Sequence, residues 1–187
     1  MTELMSLPAG RFPSILVDPP WYYRARSERG RGRCADRHYA IMGLDDIKAM
    51  PVGDLALQDS VLMLWVPCCQ LEHGLEVADA WGFRFKTVAF VWAKITRGDR
   101  LPCAGMGFWT RQGAELCLLA TRGRPRRLHR DVRQVIIEPR REHSRKPDRI
   151  YGDIERLLPG PYLELFSRAS PRSGWTLWGD ELGKFGP

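Results

Sequence analysis

Short apolar runs separated by turn-forming residues make up most of the chain. Ser14–Val17 is a continuous apolar run, the pattern of a strand buried on both faces, and Ser60–Val66 repeats it. Thr87–Trp92, Leu116–Thr121, Tyr162–Phe166 and Trp175–Trp178 read as further strands, with Val135–Ile137 as a shorter candidate. Between these runs the apolar spacing changes to that of a helix. Leu44–Met50 follows the Met42-Gly43 turn as a short helix. Leu71, Leu75, Ala78 and Trp81 recur at helical spacing, and Gly82 is placed to cap their helix at its C-terminus. Pro147 suits the first position of a helix running to about Leu158, which Pro159-Gly160 stops. Strands alternating with helices predict an α/β fold, a Rossmann-like doubly wound sheet with its ligands at the carboxyl ends of the strands. Residues 1–13 read as a short N-terminal extension and 14–187 as a single domain. A length of 187 residues with 44% hydrophobic content is enough for one sizeable core.

Composition narrows the class. No run of ~18 apolar residues occurs, so no membrane span is expected, and Met1–Phe12 carries Glu3 and Pro8 in place of a signal peptide's apolar core. The five cysteines form an odd set without Cys-x-x-Cys spacing, which favours reduced thiols over disulfides or a metal site and gives a cytoplasmic expectation. The net charge is +7 and the pI near 9.5, with 24 of the 29 basic residues arginine, a balance that suits a polyanionic partner. Arg24, Arg26, Arg29, Arg31, Arg33 and Arg37, interleaved with Gly30 and Gly32, read as a mobile basic loop at the mouth of a site. Arg122, Arg124, Arg126, Arg127, Arg130 and Arg133 form a second cluster, followed by Arg140, Arg141, Arg145, Lys146 and Arg149. The alternative for the second cluster is a solvated basic face.

The tetrapeptide Asp18-Pro19-Pro20-Trp21, directly after the first apolar run, carries the chemistry. An exocyclic amine such as adenine N6 is a poor nucleophile, because its lone pair is delocalised into the ring until hydrogen bonding draws it toward tetrahedral geometry. An Asp18 carboxylate can accept one N6 hydrogen and the Pro19 carbonyl the other, since proline has a fixed φ and no N–H. Trp21 is expected to stack on the base, a contact worth roughly 1–3 kcal/mol. The cationic sulfonium of S-adenosylmethionine would drive methyl transfer without a strong base once donor and acceptor are held in line. The competing reading of the tetrapeptide is a rigid loop packed on a core.

The wider pattern resembles the MT-A70 family of S-adenosylmethionine-dependent adenine N6-methyltransferases, related to the permuted β-class amino-methyltransferases and here of a bacterial or phage single-domain type. The resemblance rests on Asp18-Pro19-Pro20-Trp21, His38-Tyr39, Leu64-Trp65-Val66, Trp81-Gly82-Phe83 and Val91-Trp92-Ala93-Lys94. It continues through Gly113-Ala114-Glu115-Leu116-Cys117, His143-Ser144-Arg145-Lys146-Pro147, Ile154-Glu155-Arg156-Leu157 and Leu163-Glu164-Leu165-Phe166-Ser167-Arg168. It implies that Lys146 holds the cofactor's methionine carboxylate, that Asp18, Glu164, Phe166 and Arg168 line the cofactor pocket, and that Asp180 and Glu181 contact its ribose. Tyr39, Trp92, Lys94 and Glu115 match positions near the acceptor base, with Arg24 and Arg26 on the nucleic acid, and a core role competes for Trp92. The Gly-x-Gly of ordinary methyltransferases is missing after Leu163–Phe166. The implied product is S-adenosylhomocysteine, and the implied substrate is nucleic acid, DNA favoured over RNA. The alternatives are a catalytically silent nucleic-acid-binding member, or methylation of cytosine N4 or a protein amide. A monomer, a homodimer and pairing with a family partner subunit are all compatible with the resemblance.

Overall fold

The computed structural model describes residues 4–22, 41–96, 98, 102–103, 105, 109–142 and 144–185. The strands are β1 (Phe12–Val17), β2 (Ala56–Pro67), β3 (Arg84–Ile95), β4 (Ala114–Arg122), β5 (Val135–Pro139), β6 (Tyr162–Leu165) and β7 (Trp175–Trp178). They form one sheet in the order β5-β3-β4-β2-β1-β6-β7. All run parallel except β4, which is antiparallel to both its neighbours, β2 and β3. Helices α1 (Leu44–Lys48), α2 (Val52–Leu55), α3 (Leu71–Ala80) and α4 (Arg149–Leu157) cover the two faces.

Alternation along β2 explains why the sheet is covered on both sides. Leu62, Leu64 and Val66 point into a core shared with Ile47, Val52, Leu55, Val77, Ala78 and Trp81 of the first three helices and the turn after α3. Val61, Met63 and Trp65 point the other way, into a core shared with Ile150, Ile154 and Leu158 around α4. Every residue of β1 is buried, as a central parallel strand requires. Leu4, in a short 3-10 turn, is 1% exposed and belongs to the first core, so the fold takes in residues before 14.

The expected strands and the three expected helices are all present, with ends shifted by a few residues. The short helix α2 lacked a sequence signal. Pro147 lies just before α4, accepting the Ile150 N–H at 3.1 Å, instead of being its first residue. Gly82 takes φ +79° after α3, the left-handed cap expected of it. The face of α3 is a correction: Leu71 and Leu75 are each 37% exposed, while Gly74, Val77 and Ala78 are buried. A Cβ at Gly74 would stand 2.5 Å from Val66 Cγ1, so the missing side chain lets the helix lie close on β2. The helix rolls to present its smallest residue to the sheet.

Strand order also fixes where a ligand can sit. The chain leaves β1 toward β2 on one side and leaves β6 toward β7 on the other, and the connections diverge above the carboxyl ends of these adjacent strands. That is the switch-point crevice of open α/β sheets.

Candidate active site

Asp18 follows the last residue of β1, at the crevice. The antiparallel course of β4 brings its amino end, with Glu115, to the same edge as the carboxyl end of β3, with Lys94. Lys146 comes from the segment between β5 and α4. Its Nζ lies 2.7 Å from Asp18 Oδ2 and 3.1 Å from Glu115 Oε2, and Lys94 Nζ is hydrogen-bonded to Glu115 Oε1. Asp18, Lys146, Glu115 and Lys94 thus form a continuous chain of alternating charge, each side chain between 15% and 24% exposed. Lys94 also stands 4.7 Å above the Trp92 ring, and Lys146 5.6 Å from the Trp65 ring.

The four groups do not share charge equally. Burial pushes Glu115 up, but the ammonium groups of Lys146 and Lys94 carry it down to about 2, so it stays ionised. Asp18 has only Lys146 at close range, and burial, helped by Glu115, leaves its carboxyl above the usual range. Burial opposes the charge of Lys146, yet Asp18 and Glu115 beside it raise its proton affinity overall. Asp18 is therefore the member of the chain that takes a proton most readily.

A cavity of about 270 Å³ opens beside Asp18 on the α4 side of the sheet. Its walls include Asp18, Lys146, Glu164, Phe166 and Arg168, five residues named from the sequence, together with Leu16, Trp65, Ile150, Tyr151, Leu177 and Phe185, which were not assigned to it. Glu164 accepts hydrogen bonds from Tyr151 Oη at 3.0 Å and Ser167 Oγ at 2.8 Å. Burial outweighs both bonds and raises its carboxyl to about 7. Phe166 has φ +61° and Ser144 φ +60°, a conformation costly for a side-chain-bearing residue; both line the cavity. Phe166 supplies a left-handed turn directly after β6 without a glycine.

Phe185 carried no sequence signal. Its N–H donates to the Arg168 carbonyl at 3.0 Å, its carbonyl accepts from Ser170 Oγ at 3.0 Å, and its ring lies 5.1 Å from both the Arg145 and Arg168 guanidinium carbons. Tyr151 and Trp65 were equally hard to assign to the cavity, because only the packing of α4 on the sheet brings them there.

Other expected site residues stand elsewhere. Trp21 is 7% exposed, packed in the first core, with its indole N–H donated to the Trp65 carbonyl at 2.9 Å. It offers no free face for stacking; among the described residues of this stretch the exposed ring is Tyr22, at 53%. Pro19 is buried, and its carbonyl accepts the Trp21 N–H at 2.8 Å, which leaves one lone pair. The Pro20 carbonyl accepts the Met42 N–H at 3.0 Å. Trp92 is 3% exposed in the second core and donates to the Glu138 carbonyl, the core role that competed with base contact. Asp180 is exposed and absent from the cavity wall, and Glu181 reaches it only through Arg168, at 3.8 Å. Arg24, Arg26 and Tyr39 lie outside the described residues, as do the other arginines of that loop. Among the described residues no group of three or more His, Cys, Asp or Glu side chains could hold a metal ion, and no helix is long and apolar enough to cross a membrane.

Comparison with known proteins places the chain in a family. The family model MT-A70 matches residues 12–181. The chain is 32% identical over 177 residues to an N(6)-adenosine-methyltransferase MT-A70-like protein of Drosophila melanogaster, and 30% identical to the N(6)-adenosine-methyltransferase catalytic subunit METTL3 of Homo sapiens. Each alignment covers 92% of this chain but only 27% and 28% of the relative, so the chain spans about a quarter of their length. It is also 27% identical to the Type II methyltransferase M.MunI of a Mycoplasma species, over 94% of this chain and 80% of that protein.

Proposed function

Since the chain belongs to the MT-A70 family, we propose that it transfers a methyl group from S-adenosylmethionine to the N6 amine of adenine in nucleic acid, with DNA favoured over RNA. One observation carries this reading: a carboxylate at the switch point, Asp18, shares its Oδ2 with Lys146 at the rim of the cavity, while Oδ1 has no partner among the described residues.

The cavity fits the proposed cofactor by its donor set. A zwitterionic amino-acid end needs cations and a carboxylate, and the wall supplies Lys146, Arg168 and Glu164 beside an apolar strip of Leu16, Ile150 and Leu177. Two of the three protons of the Lys146 ammonium go to Asp18 and Glu115, and the third is available to the cofactor's carboxylate. When bound, the cofactor supplies an electrophilic methyl group on a cationic sulfur.

The chain's own residues prepare the acceptor. Asp18 Oδ1 accepts one N6 hydrogen, and the remaining lone pair of the Pro19 carbonyl accepts the other, which draws the nitrogen lone pair out of the ring. Methylation leaves N6 with one proton too many. Asp18, whose proton affinity burial raises, is the acceptor at hand. Glu115 and Lys94 act one step back, holding Lys146 against Asp18.

DNA is favoured because the similarity to a type II methyltransferase runs over 80% of that protein, while the similarity to the relatives named for N(6)-adenosine is confined to 27% and 28% of theirs. The deciding experiment supplies labelled cofactor with DNA, RNA and protein in turn and analyses the nucleosides. N6-methyladenine in DNA supports the reading, label in RNA alone would move the substrate to RNA, and label in cytosine, in protein or nowhere would overturn it.

A further inference from the structure

The second arginine cluster does not lie at the mouth of the site. Because β4 runs antiparallel to its neighbours, its amino end carries Glu115 to the catalytic edge and its carboxyl end carries Arg122 to the opposite one. Seven residue-to-residue steps of extended strand separate them, about 24 Å. The cluster continues from Arg122 through the loop 123–134, while Arg84 and Lys86, both exposed, begin β3 at the same far edge.

The anchors of this loop scarcely use its arginines. Gly123 takes φ +62° where a Cβ would stand 2.1 Å from Asp59 Oδ1, and Asp59 Oδ1 instead accepts the Arg124 backbone N–H at 2.8 Å. The Leu128 N–H donates to the Leu157 carbonyl at 2.8 Å, and Asp131 is held by the Arg156 guanidinium from α4. Arg122 bonds the Gly53 carbonyl at 2.6 Å. The side chains of Arg124, Arg126, Arg127, Arg130 and Arg133 are exposed, and none makes an ion pair among the described residues.

The neighbouring basic run is different. Arg141 and Arg145 are paired with Asp148, and Arg149 with Asp153, so those charges are spent on the fold. The β4–β5 loop is pinned by backbone and acid contacts and leaves five exposed guanidinium groups outside the ion pairs of the described residues. Guanidinium forks spaced along an extended segment match a run of phosphates.

From this placement we infer that the β4–β5 loop is a second nucleic-acid surface, binding the phosphate backbone of a polymer away from the acceptor base. The inference rests on the reading that the substrate is a nucleic acid, and it adds where the polymer is held: an edge that the adenine in the catalytic crevice does not reach. The enzyme would keep hold of a long strand while the crevice releases one adenine and samples another.

The test uses fluorescence anisotropy with a labelled oligothymidylate of about 30 nucleotides, which has phosphates but no adenine to engage Asp18. The full chain is compared with a variant carrying Arg124→Gln, Arg126→Gln, Arg127→Gln and Arg130→Gln together, and with the corresponding four-lysine variant. The glutamine variant is expected to lose at least tenfold in affinity, and its plot of log K against log salt to be shallower by about 3, from four lost contacts at ~0.7 each. The lysine variant is expected to keep the slope. Methyl transfer to a short adenine-containing oligonucleotide should be unchanged in both variants, which also reports that they fold. Equal affinity and slope in the full chain and the glutamine variant would overturn the inference, as would competition by polyglutamate as strong as that by oligothymidylate at equal charge. Arginine-dependent binding without methyl transfer to any nucleic acid would support the surface while defeating the proposed activity.

Discussion

Asp18 could be singled out from four adjacent residues of sequence, and the fold sets it on the cavity wall, where we propose that it acts. Its partner could not be: Lys146 stands 128 residues away, and the sequence reading assigned it to the cofactor alone, whereas its ammonium also bonds Asp18. Asp18→Ala is expected to lower methyl transfer by at least about a hundredfold, within the range for lost acid–base and orienting groups, with cofactor affinity largely kept. Transfer from labelled cofactor and calorimetric cofactor titration measure the two separately, and transfer at the wild-type rate would refute the role given to Asp18. Glu164 makes a different prediction. Its carboxyl is raised from 4.5 to about 7 in the fold, so the native state resists an ionisation that the unfolded chain undergoes readily. The contribution is complete below about pH 4.5 and is lost as pH rises through 7, a change of roughly 3 kcal/mol at ~1.36 kcal/mol per unit. In Glu164→Gln this slope should vanish, so the variant gains on the wild type as pH rises from 5 to 8. Denaturant melts at several pH values measure it, and a constant difference would count against the assignment. Trp21 shows the limit of residue-type reasoning: a tryptophan beside the acid looked like a stacking platform, but its ring is buried and tied by its N–H, and Tyr22 is the exposed one.

At the level of elements, hydrophobic period located the strands and the three longer predicted segments of helix, because a buried strand and an amphipathic helix write their periods locally. Helix rotation was less legible. Leucine at 71 and 75 outweighed glycine at 74 in the sequence pattern, yet close approach to Val66 and Leu118 favoured the residue without a side chain. Gly74→Val should therefore cost about 1–3 kcal/mol through overpacking, while Leu75→Gln, on the more exposed face, should cost under about 1 kcal/mol. Thermal melts compare the two at about 2–4 °C per kcal/mol for a chain of this size. The opposite ranking would mean that α3 packs on its leucine face. The 3-10 turn at Leu4 and the helix α2 escaped the sequence reading because each is one turn or less, too short to show a period.

For the whole molecule, a net charge of +7 with arginine outside both the fold's ion pairs and its core would make the proposed binding of a nucleic-acid polymer an electrostatic matter. Methyl transfer to a long nucleic acid should fall at least about tenfold in kcat/KM between 50 and 200 mM salt, and transfer to a short oligonucleotide much less. Steady-state kinetics across that range measure it; equal salt dependence at both lengths would contradict an extended phosphate surface. The sequence by itself determined which segments are strands, that an aspartate follows the first of them and that the chain is basic, since each of these is written in neighbouring residues or in composition. Strand direction is not. An alternating or continuous apolar run reads the same forwards and backwards, so nothing local says that β4 runs against the sheet. That one reversal brings Glu115 to Lys146, and so to Asp18, and sends Arg122 and the loop after it to the far edge. Tertiary structure decided it because only pairing with β2 and β3 assigns a strand its direction and, with that, the side of the molecule on which each end does its work.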